Sequence, residues 1–293
     1  MKIELAKSAG FCFGVKRAVQ TVYDQVASGR KPVYTYGPII HNEEVVREFD
    51  ALGVRVLESV EEIGTITEGT LIIRSHGVSK EIHDLMYAQS KDALAQGKIL
   101  DIVDATCPFV LRIHKYVMEF ANLGEWVVIV GDPTHPEVLG IYGWANPDKT
   151  IIIESKEQAE TFSMPENNRL NIVAQTTFNC NKFQDIVEII SKKEYDINVL
   201  STICSATEER QKEAAEIASR VEAMVVVGGK SSSNSRKLYE ICHENCLNTY
   251  FIQTKEDLDL SDLMRFDYVG ITAGASTPKN IIEEVQKYVR NEL

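Results

Sequence analysis

Three cysteines divide the chain into nearly equal thirds. Cys12, Cys107 and Cys204 stand 95 and 97 residues apart, and the path from Cys204 through the termini back to Cys12 spans 101. A strand-like run ends at each cysteine, and a helical pattern follows: GFCFGVKRAVQTVYDQVA, ATCPFVLRIHKYVMEFA and TICSATEERQKEAAEIAS. The likeness extends further along each third. A second strand ends at Gly37, Gly131 or Gly228, lying 25, 24 and 24 residues after its cysteine. Four residues beyond each glycine stands a hydrogen-bonding side chain: His41, His135 or Ser232. A later strand then ends in a polar turn, Ser75-His76-Gly77, Gln175-Thr176-Thr177 or Gly274-Ala275-Ser276, which we align on His76, Thr176 and Ser276. Such a repeat constrains the fold more than any local propensity does.

Between these marks, β-branched runs alternate with helical patterns, at 98–103 (KILDIV), 126–130 (WVVIV), 170–174 (LNIVA), 224–227 (MVVV) and 268–272 (YVGIT). That alternation predicts an α/β protein with parallel sheets. The expected architecture is three similar α/β units, 14–104, 105–201 and 202–293, the last completed by the N-terminal segment 1–13. They are expected to stand in a pseudo-threefold arrangement around a central site. In parallel sheets, ligands bind outside the carboxyl ends of the strands. All the marked residues fall at such ends, so three units facing one axis would collect three cysteines and a ring of polar groups.

A net charge of -12 argues against broad nucleic-acid binding, which needs clustered Lys and Arg. It leaves room for a small anion held by a few aimed donors. No apolar run reaches signal-peptide or membrane-span length, so a soluble, cytoplasmic protein is expected. In a reducing compartment six cysteines are not a disulfide framework. Zinc usually takes two close pairs of ligands, and Cys12, Cys107 and Cys204 have no near partners. A 4Fe–4S cluster accepts ligands from distant segments. With three thiolates, its fourth iron keeps an open position for a substrate oxygen. A helix following each cysteine favours the thiolate form. Burial as plain structural thiols is the common fate of single cysteines, but it explains neither the spacing nor the shared location. Cys180 follows the Thr176-Thr177 turn and stands near the expected cavity. Cys242 and Cys246, four apart on a helical pattern, read as core residues.

The segment GGKSSSNS at 228–235 ends a β-run and opens a helix. Met224 stands where a nucleotide P-loop needs glycine, which excludes that motif. Ser232, Ser233 and Asn234 at a helix start can still donate to phosphate oxygens, or simply cap the helix, and Ser276 shares this ambiguity. His83, His114 and His243 fall within helical patterns. His41, His76 and His135 fall at strand ends and predict a cationic or donor-rich anion pocket. Glu137, in THPEVLG, adds an acid where donors are expected, which suits a proton donor whose ionisation is suppressed.

These residues belong to a longer series. GFCFGVKRA, HNEEVV, SHGV, DATCP, THPEVLG, QTTFN, SSSNS and AGAS resemble, in order and across essentially the whole chain, the motifs of the 4-hydroxy-3-methylbut-2-enyl diphosphate reductase family. Those enzymes end the methylerythritol-phosphate route to isoprenoids. The resemblance implies reductive removal of the substrate hydroxyl to give isopentenyl and dimethylallyl diphosphates and water. It implies one 4Fe–4S cluster on Cys12, Cys107 and Cys204. The diphosphate would be held by His41, His76, His135, Ser232, Ser233, Asn234 and Ser276, with Glu137, helped by Thr176, delivering protons. Electrons would come from a ferredoxin or flavodoxin, since the chain carries no flavin or nicotinamide fingerprint. Two rivals are a redox-neutral hydratase, which would form product without reductant, and a metal-sensing cluster or zinc protein, which would bind no diphosphate.

Overall fold

The computed structural model describes residues 2–165 and 168–291; residues 1, 166, 167, 292 and 293, including both chain ends assigned to the third unit, lie outside the described residues. The chain opens with β1 (Lys2–Leu5) and α1 (Phe13–Ser28). It continues through β2 (Val33–Tyr36), α2 (Glu43–Ala51), β3 (Val54–Leu57), α3 (Val60–Thr65), β4 (Gly69–Ile73), α4 (Lys80–Ala95) and β5 (Leu100–Asp104). Next come α5 (Pro108–Leu123), β6 (Trp126–Val130), α6 (Pro136–Tyr142), β7 (Thr150–Ile153), α7 (Lys156–Thr161), β8 (Arg169–Ala174), α8 (Cys180–Ser191) and β9 (Asp196–Val199). The last stretch is α9 (Ser205–Ala218), β10 (Ala223–Val227), α10 (Ser233–Asn245), β11 (Thr249–Ile252), β12 (Tyr268–Ala273) and α11 (Lys279–Asn291).

Three four-stranded sheets result, in the orders β3-β2-β4-β5, β7-β6-β8-β9 and β11-β10-β12-β1, every pairing parallel. β1 takes the place in its sheet that β5 and β9 take in theirs, so all three share one doubly wound topology. The predicted fold class, three α/β units with parallel sheets around a central site, is the one observed.

Four of the β-branched runs form central strands with both faces covered, while 98–103 forms the edge strand β5. Side chains alternate across a strand. On β10, Val225 and Val227 enter one core while Met224 and Val226 enter another. On β8, Leu170, Ile172 and Ala174 face one way and Val173 the other. Buried Asn171 on β8 is satisfied by Glu125 Oε2 at 2.7 Å and by the Asn198 side-chain amide at 2.8 Å. Cross-unit contacts fix the arrangement: Trp144 Nε1–H donates to the Val78 carbonyl at 2.8 Å, and Lys182 pairs with Glu240 at 3.1 Å.

One expectation needs correction. The strands do not end at the cysteines: β1, β5 and β9 stop at Leu5, Asp104 and Val199, and loops cover the remaining distance. The loops carry each cysteine from its sheet to the N-cap of α1, α5 or α9. Cys246 is likewise just past α10 as its C-cap, although it and Cys242 are buried core residues as read. No helix among the described residues is long and apolar enough to cross a membrane.

Candidate functional site

The switch point of each doubly wound sheet lies between its two central strands, where connections leave in opposite directions and ligands bind. Here those strand pairs are β2/β4, β6/β8 and β10/β12. Their carboxyl ends, with those of β1, β5 and β9, deliver the marked loops to two adjoining cavities of about 60 and 80 Å³. Both are lined by Val15, Ser75, His76, Thr177 and Ala275, so they are two ends of one site.

One end holds His41, His76, His135, Ser232, Ser233, Asn234 and Ser276. The other holds Cys12, Cys107, Cys204, His76, Glu137 and Thr176. Every residue expected to ligate, bind or donate a proton is therefore brought to this one place. Cys180 lines neither end; it opens α8, its backbone N–H bonded to Gln211 Oε1 at 3.0 Å.

At the thiol end the repeat is visible in backbone hydrogen bonds. The N–H of Cys12 donates to Ala275 O at 3.3 Å, that of Cys107 to Ser75 O at 2.9 Å, and that of Cys204 to Thr176 O at 3.1 Å. These bonds put Ser75, Thr176 and Ala275 in equivalent positions. The alignment on His76, Thr176 and Ser276 was therefore off by one in the second unit, where the counterpart of His76 is Thr177. Thr177 reaches both ends of the site and was missed as a candidate. The helix caps reveal a similar slip: Asn42, His135 and Ser232 are the equivalent N-caps, so His41 enters the cavity from one residue earlier.

The sulfurs are tightly accommodated. A side chain at Gly14 would place its Cβ 2.5 Å from Cys107 Sγ, so this position in the first turn of α1 needs glycine. Cys204 Sγ lies 3.1 Å from Thr207 Oγ1. Burial pushes the Cys107 thiol up to about 11 and raises Cys204 as well, against the expectation that helix N-termini would favour thiolate. Desolvation outweighs the dipole here. A metal bound there must displace the protons, as thiol ligation requires. Three thiols in one cavity, a glycine cradle, and the buried guanidinium of Arg210 beside them fit an iron–sulfur cluster of net negative charge.

At the polar end the donors are neutral. Burial, the leading cause, holds His41 at about 4, His135 at about 3 and His76 well below the usual histidine value. Ring centroids stand 4.4–5.4 Å apart, so each protonated ring would oppose the next. Burial and mutual repulsion weigh against charge on the rings in the protein alone, which leaves them as neutral donors. His135 Nδ1 accepts the Glu137 N–H at 3.2 Å, which leaves the ring proton on Nε2 as a donor and makes this ring a poor metal ligand. His41 Nε2, His76 Nδ1 and Asn234 Nδ2 are buried without partners in the protein. Orphaned polar atoms in one pocket are the mark of a ligand site. Ser232 caps α10 by accepting the Ser235 N–H at 3.3 Å while its side chain also lines the cavity, 3.2 Å from Ser276 Oγ. Gly229 belongs to the same closure, since a Cβ there would meet His41 O at 2.8 Å.

Glu137 is 2% exposed, on the first turn of α6. Its carboxylate accepts Thr176 N–H at 2.6 Å and the Thr176 hydroxyl at 2.8 Å. Those bonds favour the ionised form, yet burial dominates and raises the carboxyl to about 7. At neutral pH it is poised to give up a proton. Gln175, also overlooked, braces the loops by donating to Thr177 Oγ1 at 3.1 Å and Ser233 Oγ at 3.3 Å. Arg210 carried no sequence signal at all.

The chain matches the family model described as LytB protein over residues 3–290. It is 45% identical over 292 residues to the 4-hydroxy-3-methylbut-2-enyl diphosphate reductase of Clostridioides difficile (strain 630), covering 99% of this chain and 100% of that one. The enzyme of the same name from Thermoanaerobacter sp. (strain X514) is 43% identical, with 99% and 97% covered. Among solved structures, the E-1-hydroxy-2-methyl-but-2-enyl-4-diphosphate reductase of Plasmodium falciparum superposes with a TM-score of 0.89 at 30% identity, over 99% of this chain and 87% of that one. A second, described as (E)-4-hydroxy-3-methyl-but-2-enyl diphosphate reductase, the terminal enzyme of the non-mevalonate pathway, gives 0.66 at 38% identity, covering 99% of each chain.

Proposed function

The chain belongs to the LytB protein family, and we propose that it reduces 4-hydroxy-3-methylbut-2-enyl diphosphate to isopentenyl and dimethylallyl diphosphates in the two-ended site. The observation that carries this reading is the junction of three cysteines with a pocket of buried, unpartnered donors. The reaction removes the hydroxyl as water and consumes two electrons and two protons. We take Cys12, Cys107 and Cys204 as the protein ligands. A 4Fe–4S cluster bound there would supply electrons singly and leave one iron open to the substrate's hydroxyl oxygen.

The protein's own groups do the rest. His41, His76, His135, Ser232, Ser233, Asn234 and Ser276 grip the diphosphate and so orient the short carbon chain toward the cysteines. The dianionic end, once seated, favours protonation of the histidines that burial keeps neutral. Glu137, held in place by Thr176, gives a proton to the leaving oxygen. We assign the working units to 14–104, 105–201 and 202–293 with 1–13, a division supported by the closure of each sheet within one of them. Free thiols suit the cytoplasm, and a ferredoxin or flavodoxin there is the proposed donor.

The test is an anaerobic assay of purified protein with substrate, with and without a one-electron reductant. Product that appears only with reductant supports the reading; product without it would mean a hydratase. A second expectation concerns the polar end. Hydrogen bonds to a charged group contribute about 1.5–3 kcal/mol each. His41→Ala and Ser232→Ala should each raise KM roughly tenfold or more while iron content stays at the wild-type level. An unchanged KM in both variants would put the diphosphate elsewhere.

A further inference from the structure

Arg210 is the buried cation of the thiol end. It is 3% exposed and lines the cavity with Cys12, Cys107 and Cys204. Its Nε and Nη2 are fully used: Nε donates to Ser8 O at 3.0 Å, and Nη2 to Ser8 O at 2.5 Å and Gly10 O at 2.7 Å. Those carbonyls belong to the loop that carries Cys12 from β1 to α1. Nη1 is different. It is buried and has no partner in the protein. Burial weighs against the guanidinium charge, and Cys12 and Cys204 are among the groups that offset this. Guanidinium N–H groups are rarely left unpaired in an interior, because desolvating a charged donor is costly. Fastening the loop explains two nitrogens and leaves the third unexplained.

We propose that Arg210 is a positioning and tuning residue, whose Nη1 donates a hydrogen bond to a sulfur of the bound cluster and raises its reduction potential. The inference rests on the cluster reading above. A fixed positive charge and a hydrogen bond both favour the form with one more electron, and hydrogen bonds to sulfur are among the main determinants of cluster potential. Arginine suits the role because its planar fork holds the loop with one edge while presenting another to the cavity.

The experiment uses holoenzyme reconstituted with iron and sulfide, titrated with reductant and followed by electron paramagnetic resonance. Arg210→Gln should shift the one-electron equilibrium at least tenfold toward the oxidised cluster, which corresponds to 59 mV. Arg210→Lys, which keeps the charge but loses the fork, should fall between. Pulsed resonance on wild-type holoenzyme labelled with nitrogen-15 arginine should show a nitrogen coupled to the reduced cluster, a readout that needs no variant to fold. A Gln variant that retains its cluster at the wild-type potential would reduce Arg210 to a loop fastener and overturn the proposal. So would an absent nitrogen coupling in the wild type. Wild-type protein that takes up no iron would overturn the cluster reading itself, and this proposal with it.

Discussion

Cys107→Ser protein is expected to emerge from anaerobic purification with little iron or sulfide and no measurable turnover, and Cys12→Ser and Cys204→Ser should match it. The three sulfurs enter one cavity on three separate loops, each at a helix N-cap, so no neighbour can replace a lost one. Cys180 lies outside the cavity, and Cys242 and Cys246 are in the core of the third unit. Serine is also the wrong donor chemically. Iron–sulfur clusters select soft thiolate ligands, and a hydroxyl is much harder to deprotonate than a thiol. Burial already pushes the Cys107 thiol up to about 11, so metal binding must overcome that proton, and a serine there would hold it more firmly still. Cys242→Ala is the matched control. It should keep iron and turnover and lose roughly 1 kcal/mol of stability through its small core cavity. Full iron content and an unchanged visible spectrum in Cys107→Ser would overturn the threefold ligand set.

The repeat was legible because it is written in residues whose chemistry is hard to replace: cysteine, histidine, and glycine at strand ends. From that spacing the parallel sheets and the convergence of distant loops could be read. Its register could not be read to the residue. The first unit reaches its helix cap in one more residue than the others, so His41 precedes the cap where His135 and Ser232 are the cap. The second unit has Gln175-Thr176-Thr177, two identical residues of which either could be aligned with His76. Only the hydrogen bonds from Cys107 and Cys204 to Ser75 and Thr176 decide it. Protonation was legible in part. A sequence shows that three histidines come together but not that burial keeps them neutral, nor that burial outweighs the helix dipole at Cys107. Arg210 was invisible because one arginine in a helix rich in charged residues looks like a solvated side chain. It is buried by the N-terminal loop, which approaches from 200 residues away along the chain.

Glu137→Gln should retain its iron and bind substrate, yet lose at least ~100-fold in turnover, the low end for a general acid and about 2.7 kcal/mol of barrier. Breaking the carbon–oxygen bond requires a proton as well as electrons, because hydroxide leaves poorly. Among the groups lining the thiol end, Glu137 is a carboxyl fully buried at the cavity wall, with both oxygens held by Thr176. Glutamine keeps the shape and can still accept from Thr176, but it cannot release a proton. The pH profile separates this from simple misplacement. Burial raises the wild-type carboxyl to about 7, so it carries its proton below that value and loses it as pH rises. Proton-limited turnover in the wild type should therefore fall above about pH 7, approaching tenfold per unit. A diphosphate seated nearby would move that fall to higher pH, because its negative charge opposes ionisation. The glutamine variant has no carboxyl to titrate, so its residual rate should lack this limb. Thr176→Val should show the intermediate case: without the hydroxyl bond the ionised form is less favoured, and the fall should again move upward. Near-normal turnover in Glu137→Gln, with the alkaline limb intact, would give the proton to water or to a histidine of the polar end.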